Sequence, residues 1–314
     1  MINRALKSAK IVAIGGHVRP DGDCVGSTMG LYQYIKTWYP DIEVDVYLED
    51  IPESFKKLIA VSNQIKGEID EEICYDLFIA LDCGDAARLG FSGVLFDKAK
   101  HTLCVDHHVS NMAFADENHI VPEASSTSEL IYHLLPYERI TKEIAECLYL
   151  GIVHDTGVFQ YSSTAPETME AAANLMRKGI RANEIIDKTF YEKTYAQNQI
   201  LGRALLESIL FMDGKCIFAC LTKKIMDFHG VKPKDLEGIV SQLRVTEGVE
   251  VAIFLYQTDE QEYKVSLRAS GDVDVSKVAQ KFGGGGHKKA AGVTMKGTMH
   301  EIINNLSEQI SAQL

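Results

Sequence analysis

The sequence predicts an α/β protein in two parts, a parallel-sheet domain followed by a second, smaller α/β domain. Three observations carry that expectation. Short apolar strands alternate with helices through the first half of the chain. Three of those strands run directly into clusters of acids and histidines. A second strand-rich region begins near Lys215, after a long helical stretch.

Residues 11–14 read as a short buried strand, and 26–38 as the helix that follows the turn at 17–23. Further strands are expected at 43–48, 77–81 and 103–105. Apolar runs of this length, without strict alternation, fit a parallel sheet covered on both faces. From Ser126 onward, apolar residues recur at helical spacing over 129–135, 142–152 and 167–178. A helical stretch over 185–209 then joins the halves without a Pro/Gly-rich linker. The expected division is 1–184 for the first domain, 185–209 for the helical linker and 210–314 for the second domain. In the second domain, 216–221, 250–256, 263–268 and 290–294 read as strands. Residues 233–243 and 274–282 read as helices, and the glycine run 283–286 leads into His287.

A chain of 314 residues can bury two cores, and 46% hydrophobic with 24% charged residues is ordinary for a soluble globular protein. The net charge of −12 argues against a broad surface for long nucleic acid, whose binding is dominated by lysine and arginine contacts to phosphate. A short nucleotide in a local basic pocket stays compatible with it. The amino terminus has no signal pattern and no apolar run approaches the ~20 residues of a membrane span, so a cytoplasmic protein without membrane contact is expected. Seven cysteines without a CxxC pair read as small buried residues in a reducing compartment. Cys24 and Cys83 each follow a site acid and are expected to point away from it.

The chemistry gathers in four segments. G-H-V-R-P-D-G-D supplies His17, Asp21 and Asp23; L-D-C-G-D supplies Asp82; V-D-H-H supplies Asp106, His107 and His108; V-H-D-T-G supplies Asp155. Asp85 reads as turn chemistry. Any one of these acids alone reads as a helix cap. Four separated segments that each break an apolar element with Asp or His require a common cause, because buried charges need partners or metals. The carboxyl ends of parallel strands are where α/β proteins build such sites. Imidazoles among carboxylates form a hard N/O donor set that suits manganese, magnesium or cobalt. Two ions sharing a carboxylate, ~3.5–4 Å apart, suit phosphoester hydrolysis.

At the other end, backbone N–H groups of Gly284, Gly285 and Gly286 could approach a phosphate closely, with His287, Lys288 and Lys289 adding donors. Arg268 closes a strand with a guanidinium fork suited to a terminal phosphate. Ser125, Ser126, Thr127 and Ser128 read as a helix cap outside the site.

These motifs resemble the DHH phosphoesterase superfamily, named for the triplet seen here as Asp106, His107 and His108. The likeness covers most of the chain, and G-G-G-G-H is similar to the domain that accompanies DHH in one branch. Within the family, the stand-alone oligoribonuclease (nanoRNase) and 3′-phosphoadenosine 5′-phosphate (pAp) phosphatase type is nearest. The resemblance implies two divalent ions, expected to be Mn2+. His17 and Asp21 would hold one, Asp23, His107 and Asp155 the other, and Asp82 would bridge them. It implies that Asp106 orients the adjacent His107, that His108 faces the scissile phosphate, and that Arg268 and the Gly284–His287 turn bind substrate.

The implied activity is hydrolysis of very short RNA oligonucleotides to 5′-mononucleotides and dephosphorylation of pAp, in a cleft between the domains. A linear dinucleotide (pApA) phosphodiesterase is the narrower alternative, and a manganese-dependent pyrophosphatase the runner-up. A non-catalytic sensor would show lost ligands, and none is lost. A homodimer fits the architecture.

Overall fold

A computed structural model describes residues 1–59 and 62–314. The chain divides into two compact units, Met1–Glu192 and Lys193–Leu314.

The first unit is built on six strands: β1 (Ile11–Gly15), β2 (Glu43–Tyr47), β3 (Ile65–Lys66), β4 (Leu77–Leu81), β5 (Thr102–Asp106) and β6 (Glu117–Ile120). All pair in parallel, in the order β3-β2-β1-β4-β5-β6. Side chains alternate between two cores. Val12, Ile14, Ile79, Leu81, Leu103 and Val105 face one, while Ala13, Phe78, Ala80 and Cys104 face the other. Burial on both faces explains why the strands read as continuous apolar runs. β3 and β6 are sheet edges, two and four residues long, too short and polar to announce themselves in the sequence.

The helices of this unit are α1 (Ile2–Ala5), α2 (Gly22–Trp38), α3 (Glu53–Leu58), α4 (Gly93–Lys98), α5 (Thr127–Leu134), α6 (Lys142–Asp155), α7 (Pro166–Met176) and α8 (Ala182–Ile186). α2 begins at Gly22 rather than residue 26, because the Asp21 carboxylate caps it by accepting from the Asp23 and Cys24 N–H groups. Asp23 therefore lies in the first helical turn, not on the preceding loop. The order of the sheet reverses between β1 and β4, and the crevice at such a switch point is where doubly wound folds bind ligands.

The stretch expected as one linking helix is interrupted. α8 passes into a turn of π-helix, Asp187–Tyr191, and the chain leaves helical geometry at Glu192. A new helix, α9 (Tyr195–Leu206), starts with a capping box between Thr194 and Gln197.

The second unit holds a mixed sheet of β7 (Ile209–Phe211), β8 (Cys216–Leu221), β9 (Val251–Asp259), β10 (Glu262–Ala269), β11 (Gly285–His287) and β12 (Ala290–Lys296), in the order β11-β12-β10-β9-β8-β7. Only β8 and β9 pair in parallel. Its other helices are α10 (Lys223–His229), α11 (Ile239–Arg244), α12 (Val275–Gln280) and α13 (Met299–Ser311). The helix expected over 233–243 is a 3₁₀ turn and α11, separated by Gly238 at φ +87°. Ile302 and Leu306 of α13 pack with Val265, Leu267 and Val293 on one face of the sheet. Ile200 of α9 and Leu243 of α11 pack with Ile217, Ala219 and Phe254 on the other.

Candidate metal centre

The site stands where β1, β4 and β5 end. His17 follows β1, Asp82 follows β4, and Asp106, His107 and His108 close β5. Asp21 and Asp23 come from the start of α2, and Asp155 ends α6. α2 and α6 can cross this tightly because Gly151 has no side chain. A Cβ there would stand 2.7 Å from Asp23 Oδ1 and still closer to Ser128.

Asp82 is the centre of the arrangement. Its Oδ2 lies 3.4 Å from His17 Nε2, which is 3.6 Å from Asp21 Oδ2. Its Oδ1 lies 3.6 Å from His107 Nε2, which is 3.1 Å from Asp155 Oδ2 and 4.0 Å from Asp23 Oδ2. One carboxylate thus offers an oxygen to each of two donor groups. Asp82 holds this position at φ +59°, a left-handed conformation that costs a non-glycine residue roughly 1–3 kcal/mol.

The two inward histidines are set as ligands by their far nitrogens. His17 Nδ1 is 2.9 Å from the Val18 carbonyl, and His107 Nδ1 is 3.3 Å from that of Ala124. A proton on each Nδ1 leaves the Nε2 lone pair directed into the cluster.

The carboxylates carry the strongest argument for a cation. Asp23 is 1% exposed and Asp82 is 2% exposed. Among the described residues no lysine or arginine forms an ion pair with Asp21, Asp23, Asp82 or Asp155. Burial, then the Asp82 charge, pushes Asp23 well above the usual carboxylate range and Asp155 up to about 8. His17 is driven to about 10 despite the opposing effect of burial, because Asp21 and Asp82 both face it. Burial likewise opposes the ionised form of Asp21, and the His17 contact outweighs it, holding Asp21 at about 2. A divalent cation would replace these protons and neutralise the repulsion, so the donor set fits one. The structure groups Asp23, His107 and Asp155 on one side, and His17 and Asp82 on the other, within reach of a common ion.

Three local expectations change. Asp106 does not orient His107. Its Oδ1 lies 2.7 Å from His108 Nδ1, and its Oδ2 accepts from Asn111 Nδ2 at 2.7 Å. Ser125–Ser128 is not outside the site. The Thr127 and Ser128 N–H groups donate to Asp23 at 2.6 and 2.8 Å, and Thr127 Oγ1 donates to Asp82 Oδ1 at 3.1 Å. The start of α5, capped by Ser126, thus acts as an anion-binding helix end for Asp23. The signal was the run of small polar residues before an apolar helix, which reads equally as an ordinary cap. Cys24 does not point away: its Sγ borders His17 and Asp82, whereas Cys83 packs in the aromatic core. Burial raises both thiols well above their usual range.

In the second unit, Arg268 on β10 stands opposite Ala290 of β12, which stands opposite His287 of β11. Residues so aligned share a face, so Arg268 and His287 flank Ala290. The glycine run is not an open loop. The Gly284 N–H donates to the Ala279 carbonyl and terminates α12, so it is not a phosphate donor. Gly285 and Gly286 lie in the edge strand β11. Lys289 Nζ is tied to the Gly271 carbonyl.

A parallel sheet carrying imidazoles and carboxylates at its switch point defines an α/β protein equipped to hold divalent cations. The chain belongs to the DHH family: residues 11–152 match the DHH family, N-terminal domain, and residues 213–313 match the DHHA1 domain. It is 29% identical over 289 residues to the bifunctional oligoribonuclease and PAP phosphatase NrnA of Thermus thermophilus, covering 91% of this chain and 84% of that one. The Bacillus subtilis protein of the same name is 24% identical over 298 residues, covering 93% and 91%. The crystal structure of an exopolyphosphatase-related protein from Bacteroides fragilis superposes with a TM-score of 0.91 at 28% identity, covering 99% of this chain and 94% of that one.

Proposed function

We propose that this chain is a metal-dependent phosphoesterase that hydrolyses very short RNA to 5′-mononucleotides and removes the 3′-phosphate of pAp. The observation that carries the reading is Asp82, whose two oxygens face two separate donor groups. The names of the Thermus and Bacillus relatives supply the substrate class.

In this reading His17 and Asp21 would hold one divalent ion, Asp23, His107 and Asp155 would hold a second, and Asp82 would serve both. When bound, such ions polarise the phosphate and lower the pKa of an attacking water. His108, raised in pKa first by its hydrogen bond to Asp106, presents a protonated ring to the departing oxygen. Residues 1–184 form the catalytic domain, 185–209 the connection and 210–314 the substrate domain. There Arg268 and His287, with Gly285 and Gly286, receive the far phosphate of a short substrate. The chain's net charge of −12 disfavours long polyanions. Manganese as the metal, the cytoplasm as the compartment and a homodimer as the assembly belong to the same reading.

Product release from a labelled RNA length series, with pAp, pApA and pyrophosphate alongside in Mn2+, tests it. Mononucleotides from two-to-five-residue RNA together with pAp cleavage support the proposal. Activity confined to pApA would move the substrate to linear dinucleotides, and activity on pyrophosphate alone would overturn the proposal.

A further inference from the structure

His154 precedes Asp155 on α6, and its ring packs among aromatic side chains. The ring meets Phe55 at 5.1 Å and Phe190 at 5.7 Å between centroids, both edge-on. Its Nε2 lies 2.8 Å from Thr189 Oγ1. The Thr189 hydroxyl itself donates to the Ile185 carbonyl at 2.6 Å, so the imidazole N–H is the donor in the pair. Thr189 and Phe190 both lie in the π-turn Asp187–Tyr191, a helical irregularity found disproportionately at functional sites.

Gly22, between Asp21 and Asp23, also packs against the ring. A Cβ at Gly22 would stand 2.3 Å from His154 Cγ. The ring therefore touches the first turn of α2 directly, while the backbone of the same residue leads into Asp155. Phe55 of α3 and Thr189 and Phe190 of the π-turn hold the ring from behind.

We propose that His154 is a positioning residue, whose clamped ring sets the last turn of α6, with Asp155, against the first turn of α2, with Asp21 and Asp23. The inference rests on the metal-centre reading. It assigns the π-turn a task at the ion-binding cluster although none of its residues contacts the cluster. Groups that orient metal ligands at one remove commonly change affinity about 10- to 100-fold when lost.

Calorimetric titration of the full chain with Mn2+, paired with electron paramagnetic resonance of the bound ion, is the test. His154→Ala is expected to weaken Mn2+ binding about tenfold or more and to alter the resonance signature. His154→Gln, which keeps a donor toward Thr189, is expected to recover most of the loss. Thr189→Val, which removes the hydroxyl that accepts from His154 and donates to Ile185, is expected to weaken binding in the same direction and covers the case in which His154→Ala does not fold. Gly22→Ala should also weaken binding, and adding His154→Ala should cause no further loss, because the two occupy one space.

Wild-type Mn2+ affinity and signature in both His154→Ala and Thr189→Val would overturn the inference while leaving the metal centre intact. Loss that merely follows a lowered Tm, with no recovery in His154→Gln, would also overturn it. Absence of Mn2+ binding by the wild-type chain would overturn this inference and the metal-centre reading together.

Discussion

Asp106 Oδ1 lies 2.7 Å from His108 Nδ1, while the intervening His107 turns its own Nδ1 to the Ala124 carbonyl. Neighbouring imidazoles thus have different chemistry. A carbonyl partner on Nδ1 directs the Nε2 of His107 into the cluster; a carboxylate partner favours the imidazolium of His108.

Replacing Asp106 by Asn removes the charge that raises His108. His108 should then lose its proton at lower pH, and the alkaline limb of kcat should move down. A fall in kcat of about 10²-fold with unchanged Mn2+ stoichiometry is expected. A pH–rate profile identical to wild type would exclude His108 as the acid.

Asp82→Asn should reduce turnover of every substrate below about 1% of wild type, since one of the two oxygens that face the separate donor groups becomes an amide NH2. Asn tolerates the left-handed conformation, and the repulsion relieved at Asp23 and Asp155 offsets the loss of the carboxylate facing His17, so in the metal-free protein Tm should change little. Differential scanning calorimetry with and without Mn2+ measures both sides of that exchange.

Thr127→Val keeps the side-chain volume and the backbone donor to Asp23 but deletes the hydroxyl on Asp82. Mn2+ affinity should fall about tenfold, with little change in far-ultraviolet dichroism. Unchanged affinity would remove the start of α5 from the metal centre.

Glu129 is 4% exposed, accepts from the Ser125 N–H and the Ser125 and Thr168 hydroxyls, and stands 3.7 Å from His133 Nε2. Burial opposes its ionisation, but His133, Ser125 and Thr168 together bring it from 4.5 down to about 2. A carboxyl lowered on folding stabilises above its unfolded value, and the contribution disappears as pH falls from about 4.5 toward 2. The stability gap between wild type and Glu129→Gln should be roughly 2 kcal/mol at pH 7 and narrow through that window. Urea unfolding at pH 7 and pH 3 measures it; a gap independent of pH would contradict the assignment.

Arg268→Ala should raise KM for two-to-five-residue RNA while leaving kcat on a generic phosphodiester nearly unchanged. Equal damage to both would remove Arg268 from substrate recognition.

Much of the first unit was legible because each core strand carries its own evidence. Residues 11–15, 77–81 and 102–105 are largely apolar on both faces and run into His17, Asp82 and Asp106, a pattern readable along the sequence. The edge strands β3, β6, β7 and β11 bear no such pattern, since their pairing depends on neighbours that supply the hydrogen bonds. The glycine run shows the same limit. Its composition suggested a phosphate cradle, but the contact of Gly284 with Ala279 makes part of it a helix terminus.

By itself the sequence determined which residues could serve the cluster: His17, Asp21, Asp23, Asp82, Asp106, His107, His108 and Asp155 each interrupt an apolar element. Only the tertiary structure decided how they divide the work. The switch between β1 and β4 turns the two oxygens of Asp82 toward different partners, and chain reversal brings the Thr127 N–H, 104 residues away, onto Asp23. The reason is physical. Side-chain identity announces charge, whereas the direction of a lone pair or a backbone N–H has no letter, and only the packed backbone specifies it.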